Sequence, residues 1–446
     1  MNLLFVLYIK PVQDIVVPII VRWVSNLRPS FLCLSLSQLI FHHLSTHTID
    51  HLNVIQYTME NLPRDVALDI FSRLPVSSLV QIKCVCKSWC ALAEETRLPS
   101  MHHAHATSRN PCLVLNSACQ TENKLQFICS GDGFNQYSSK VRSLDGRFNT
   151  AMSEYQVVGS CNGLLCVSNS YYYDPITICN PIIGDYIELP KSTQFPMQEV
   201  ALGFGYLPTS MRYKVVRFVF YIKIEIWSLE SHAEILTLGT DHTWRSIGPV
   251  PGRLELKPSQ ALVNGALHWV TLFFHFTQGI RLRVISFDLT EEKFRWIELP
   301  SFDCTFASNC HLVALEGCLS AVHHLGDEGI DIWVMKEYEV EESWIKKYAI
   351  GMYVPASLVE PTRPHINKVV CILNMGKILL HCNNGAFVLY NPESEQFNDL
   401  TISGLPKSFS TIVHVESLLL IEEILGINTD ALNSKVISRV GESSRA

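Results

Sequence analysis

Three cysteines and three histidines lie close together in the chain, Cys84, Cys86 and Cys90 followed by His102, His103 and His105. Thiols and imidazoles in such numbers raise the question of zinc. A structural zinc site needs paired cysteines two to four residues apart and paired histidines three to five apart, in a closed tetrahedral set. Cys86 and Cys90 meet the first spacing, with three residues between them, but no two of these histidines have more than two residues between them, so the expectation is a packed helix followed by a polar linker, with no metal. "GFGYLP" from Gly203 lacks the third glycine of a phosphate loop and sits between strands. The run Tyr171, Tyr172, Tyr173, Asp174 reads as an exposed loop and at most a binding rim. No nucleophile elbow and no close pair of carboxylates stands out. The expectation is a chain that is not an enzyme and has no cofactor.

The elements that would carry these residues are more informative. In "LPRDVALDIFSRLPVSSLVQIKCVCKSW", residues 62–89, Pro63 suits the first turn of a helix and Asp65 complements its dipole. At about 100° per residue, Val66, Ala67, Leu68, Ile70, Phe71 and Leu74 spread over roughly 200° of the wheel. One packed face needs an apolar stripe of only about 100° or somewhat more. Pro75 ends this helix, Ser77 or Ser78 is placed to cap a second carrying Leu79, Ile82 and Val85, and Trp89 and Leu92 continue onto a third. A bundle near the ~40-residue limit of independent folding cannot hide so much apolar surface internally, which points to a partner chain.

Leu62-Pro63, Asp65-Val66, Ile70, the run Ser72 to Pro75, Leu79 and Cys84 to Trp89 closely resemble an F-box. Ala67 stands where that family usually has a larger aliphatic, and Phe71 where leucine is common. The resemblance implies docking on a Skp-type adaptor, and through it on a cullin, with contacts on Leu62, Pro63, Ile70, Leu74, Pro75, Leu79, Val85 and Trp89.

From about residue 110 short apolar runs alternate with Gly, Asn, Pro and charged turns, the pattern of an all-β domain. A glycine leading into an apolar strand recurs in "NGLLCV", "NGALHWV", "GCLSAV" and "GKILLH". A polar turn followed by an aromatic recurs at Tyr186, Trp244, Phe294, Trp344 and Phe397, spaced 58, 50, 50 and 53 residues apart. In three units the turn opens six residues earlier, with Asn180, Asp288 or Asn391. A period of about 50 residues built from hairpins predicts kelch-like propeller blades of about four strands each, stacked so that the aromatics fill the space between sheets. Five repeats are clear and about six blades are expected. The apolar run at 409–421 is predicted to pair with strands near 111–116 and close the ring. "LGFGYLPTSMRYKVVRF" and "IDIWVMKEYEVEESWIKKYAI" resemble the F-box-associated domain of plant F-box proteins, with a longer hairpin expected at "SLESHAEILTLGTDHTW".

The whole chain fits this division. Its 446 residues allow two or three domains, and 48% hydrophobic with 17% charged residues describes a globular protein. A net charge of −7 with no basic stripe argues against nucleic acid as a partner. Fifteen cysteines without repeated spacing, and no glycosylation sequon, read as reduced thiols in cytoplasm or nucleus. Residues 1–58 are apolar, but Lys10, Asp14, Arg22 and Arg28 break the runs before the ~20 residues that a membrane span needs. They read as a disordered or spurious extension, with Met59 as a natural initiator and no membrane association.

The expected organisation is therefore extension 1–58, F-box 59–100, linker 101–110, propeller 111–425 and tail 426–446. The resemblance implies a substrate receptor of a Skp–cullin–F-box ubiquitin ligase, holding a protein target that the sequence does not identify. The alternatives are an adaptor-binding scaffold without a ligase role, and a kelch-type propeller oxidase, which would need a copper site of His and Tyr.

Overall fold

The computed structural model describes residues 4–6, 56–58, 63–95, 97–107, 109–117, 125–128, 142–143, 155–169, 173–223, 228–254, 261–275, 279–300, 310–353, 366–374, 376–382, 385–406 and 409–426. Leu62, Tyr171, Tyr172, most of residues 1–58 and residues 427–446 lie outside these. The chain divides into two compact units. One runs to Arg109 and includes Glu416–Leu418; the other holds Asn110–Val415 and the chain from Leu419.

In the first unit, Leu4–Val6 pairs antiparallel with Gln56–Thr58. Four helices follow: α1 (Arg64–Ser72), α2 (Val76–Ile82), α3 (Lys87–Ala93) and α4 (Leu98–Thr107). Pro63 occupies the N-cap of α1, and its carbonyl accepts from the amides of Val66 and Ala67. Pro75 ends α1 and starts α2, because its carbonyl accepts from the amides of Ser78 and Leu79. Ser77 and Ser78 therefore lie inside α2 and do not cap it. Helix α4 replaces the expected linker over residues 101–107. Its sequence is rich in histidine and has no apolar period, yet Leu98 and His102 are buried. The Nε2–H of His102 donates to the Leu74 carbonyl over 2.9 Å. Burial holds the imidazole down at a pKa of about 4, so it packs neutral. Leu68, Phe71, Leu74, Leu79, Ile82, Ala93 and Leu98 form the core of this unit.

The second unit is a six-bladed propeller of four-stranded antiparallel sheets. Five blades are continuous in sequence, over residues 155–188, 199–248, 261–298, 310–350 and 366–400. The sixth combines Cys112–Ser117, Leu125–Ile128 and Arg142–Ser143 with the distant strand Phe409–His414. That strand pairs antiparallel with Cys112–Ser117, from Phe409 opposite Ser117 to His414 opposite Cys112. The ring closes where the apolar run predicts, but only residues 409–414 are strand. Residues 421–425 form a short helix, α5 (Ile421–Leu425). Its Ile421 amide donates to Asp185 and Arg212 donates to its Ile424 carbonyl, fastening it to the first and second of the continuous blades.

Each blade buries its faces against its neighbours. Phe218 of one blade meets Trp269 and Phe287 of the next edge to face, at 5.0 and 5.6 Å between ring centroids. Leu379 and Phe387 meet Leu113 and Phe409, and Val114 and Phe127 meet Val157 and Leu165, so the core runs without a break across the closure. A single sheet exposed on both faces could not bury these residues, which is why the repeat must stack.

The two recurring sequence signatures are the two tight turns of each blade. Asn162-Gly163 and Asn264-Gly265 join the first and second strands with positive φ at both residues, as a two-residue hairpin turn requires. The later signature joins the third and fourth strands. Asn180 Oδ1 accepts from the Ile182 amide at 3.2 Å, Asp288 Oδ1 from Thr290 at 2.7 Å, and Asn391 Oδ1 from Glu393 at 3.1 Å. Each of these residues pairs with the residue five further on, so the aromatic at six pairs with the residue before the turn: Tyr186 with Cys179, Phe294 with Phe287, Phe397 with Tyr390. The spacing is thus a side-chain-capped hairpin read in one dimension.

Most marker aromatics do bridge blades. The Trp244 indole donates to the Pro190 carbonyl and that of Trp344 to the Glu298 carbonyl, at 2.7 and 2.9 Å. Tyr186 departs from the expectation: it stands on the outermost strand, 49% exposed. Where a longer hairpin is expected, the strand Ser228–Thr237 pairs at ten positions with the preceding strand Arg212–Lys223 and at three with the following strand Arg245–Gly248. "GFGYLP" begins within the strand Glu199–Leu207, not between strands. A Cβ on Gly203 would sit 2.8 Å from Leu267, so this glycine serves blade packing.

Candidate adaptor-binding surface

The wide apolar arc of α1 divides in two. Ala67, Leu68, Phe71 and the following Leu74 are buried in the unit's own core. On the other flank Val66 is 44% exposed, Pro63 is exposed and Ile70 is half-buried. The charged residues of the helix are occupied at its ends and far side. Arg73 pairs with Asp69 at 3.0 Å, Arg97 of the α3–α4 connection reaches Asp65 at 3.2 Å, and Arg64 binds Glu95. These exposed pairs orient the helix ends more than they stabilise them.

The expected contact residues separate accordingly. Pro63 and Val85 are on the surface, and Ile70, Pro75 and Trp89 are half-buried. Trp89, on α3, turns its ring edge to face against Phe71 at 5.6 Å, which fixes the side chain while leaving part of it accessible. Leu74 and Leu79, at 3% and 1% exposure, are packed in the core of the unit. Their apolar type fits either role, and only packing separates the two. Val66 is the residue the expectation omitted. Its signal was present, since it lies on the same wide arc, one turn before Ile70.

Cys84 and Cys86 flank Val85 and are exposed, in the connection between α2 and α3. Cys90 is half-buried and its thiol donates to Glu94 at 3.5 Å. With His102 turned inward to Leu74, the cysteines and histidines of this stretch are spread over three elements and point to different tasks. Among the described residues no three His, Cys, Asp or Glu side chains converge as a metal site.

Comparison with known proteins bears on both units. Residues 59–98 match the F-box-like family model, and residues 114–422 match the F-box associated beta propeller domain. The chain belongs to the F-box proteins with an F-box-associated propeller. Among relatives in this family, F-box protein At3g07870 of Arabidopsis thaliana is 37% identical over 392 residues, covering 81% of this chain and 92% of that one. The F-box/kelch-repeat protein At3g23880 of the same plant is 29% identical, covering 74% and 90%. F-box protein CPR1, also of Arabidopsis thaliana, is 26% identical, covering 84% and 92%. Among solved structures, the six-bladed lectin of Aleuria aurantia aligns with 66% of this chain and 88% of that chain, at a TM-score of 0.32 and 10% identity, too loosely to bear on function. The F-box match begins at Met59 and so spans the four residues before Pro63.

Proposed function

We propose that this F-box protein is the substrate-recognition subunit of a Skp–cullin–F-box ubiquitin ligase. One observation carries the reading. Pro63, Val66 and Val85 remain exposed on a helical unit whose core is already complete without them. They lie in the stretch that matches the F-box-like family, where a docked partner would cover them. The Skp-type adaptor is that partner, and Leu62, at the start of the F-box match, joins Pro63, Ile70, Pro75, Val85 and Trp89 in the contact. The propeller holds the protein target. The target surface is assigned to the face that carries the connections between blades, such as residues 189–198, because opposite turns such as 162–163, 181–184, 264–265 and 289–292 are only two to four residues long and hold little chemistry of their own. The chain then supplies proximity and no catalytic group: tethering raises the concentration of target lysines near the charged ubiquitin enzyme. Work in cytoplasm or nucleus follows from that role and agrees with the free cysteines.

The test is co-purification from the full-length chain. Adaptor and cullin are both expected with the wild type. A Val66→Asp, Val85→Asp variant should bind adaptor at least ten-fold more weakly with an unchanged circular dichroism spectrum. Unchanged adaptor recovery from that variant would overturn the surface, and recovery of adaptor without cullin would favour the scaffold alternative.

A further inference from the structure

Cysteine is among the side chains most often buried in proteins, and an exposed free thiol is unusual. Among the described residues of the propeller, most cysteines follow the rule. Cys112, Cys161, Cys166, Cys179, Cys310, Cys371 and Cys382 are buried. Burial pushes the thiols of Cys161, Cys179, Cys371 and Cys382 up to about 12, which leaves almost no thiolate at neutral pH. Cys318 is half-buried. The helical unit breaks the rule. Among the described residues the two exposed cysteines are Cys84 and Cys86, two positions apart, with Val85 between them.

Their placement is specific. Cys84 stands in the turn that ends α2, where the Val85 amide donates to the Ile82 carbonyl at 3.0 Å. Cys86 is the residue before α3, in extended backbone at φ −159°, and its carbonyl accepts from the Cys90 amide at 2.9 Å. Neither side chain contributes to the core of the unit. Nothing in the packing calls for a thiol at either position, and both are open to a reagent in solution.

We propose that Cys84 and Cys86 form a thiol-modification site that closes the adaptor surface when a small disulfide reacts there. The proposal rests on the adaptor reading above. In the reaction the thiolate of either cysteine attacks one sulfur of the disulfide. A new S–S bond forms as the old one breaks, and the departing sulfur leaves as a thiolate that takes up the proton the cysteine lost. The protein sulfur is oxidised and the departing sulfur reduced, so no further reagent is required. With glutathione disulfide the product carries an anionic tripeptide beside Val85, which places charge and bulk on an apolar contact. A thiol reductant reverses the step. The buried propeller thiols take no part, so the modification alters docking and leaves the propeller intact.

The experiment uses the full-length chain and purified Skp-type adaptor, with glutathione disulfide as the probe. Peptide mass mapping should show adducts at Cys84 or Cys86. Adaptor affinity should fall at least ten-fold, recover on reduction with dithiothreitol, and stay unchanged by the probe in a Cys84→Ser, Cys86→Ser variant. That variant keeps every other thiol, so a fall in affinity there would assign the effect elsewhere and overturn the proposal. Adducts at these residues with full adaptor binding would also overturn it, as would absence of adducts there after the probe has modified the unfolded chain. If the untreated wild type binds no adaptor, the functional reading itself fails, and that result is distinct from any of these.

Discussion

The helical unit and the propeller solve the same problem in opposite ways. Each is made of elements too short to bury their own apolar surface. In the propeller every sheet has a neighbour on both sides, and the residues of each blade are absorbed into clusters shared with the next. A charged side chain can be sealed inside as well: Arg217 is fully buried and donates to Glu234 and Gln198, both at 3.0 Å. In the helical unit the same stock of aliphatic residues runs out of neighbours. Leu68 and Phe71 go in, and Val66, from the same helix, stays out. The ring buries most of its apolar side chains between blades, although Met197, Met211 and Leu229 stay exposed on it, and the helical unit leaves Val66 and Val85 at its surface.

The strongest way to break this contrast is to open the ring. Ending the chain at Leu405 removes Phe409–His414 and leaves Cys112–Ser117 as an unpaired apolar edge. The product should lose cooperative thermal unfolding and pass into the insoluble fraction. The truncation also removes Leu418, which packs against the core of the helical unit. A product as soluble and heat-resistant as the intact chain would show that the closing strand is dispensable.

A sharper test lies within the helical unit. Leu79→Ala removes a side chain that is 1% exposed and should cost roughly 2–5 kcal/mol in the unfolding of that unit. Val66→Ala, on the exposed flank, should change stability by about 0.5 kcal/mol or less. Denaturant titration followed by helical circular dichroism reads both. Equal costs would mean that the division of the arc into core and surface is wrong.

The smallest effect separates two glycines of the propeller that share a positive φ. Gly184 has φ +73° and open space where a Cβ would stand, so Gly184→Ala should cost only about 1 kcal/mol of backbone strain. Gly329 has φ +112°, and a Cβ there would meet the Ile350 carbonyl oxygen at 2.1 Å. Gly329→Ala should therefore be clearly the more destabilising, because backbone must move. Thermal unfolding of the two variants side by side checks the ranking.

Several features were legible because their cause is local. Pro63 and Pro75 bound α1 through backbone groups within four residues. Asn180, Asp288 and Asn391 cap hairpins through the next two or three amides, so the repeat shows as a spacing of six whatever surrounds it. Ring closure was legible for a different reason: an apolar run with no blade of its own must find a strand. Helix α4 was not legible, since "MHHAHAT" has no apolar period and its burial depends on Leu74, 28 residues before His102.

By itself the sequence determined the kinds of element, their order and the residues competing for the interior, because hairpin turns, helix ends and apolar spacing act over a few residues. Tertiary structure alone decided which competitors won. Leu74 and Leu79 are core while Val66 and Val85 face solvent, although all four are aliphatic and lie on or next to neighbouring helices. Arg217 and Glu234, charged and spelled like surface residues, are sealed between strands. The physical reason is the same in each case. Burial is a property of what packs against a side chain, and those neighbours are supplied by segments that are distant along the chain.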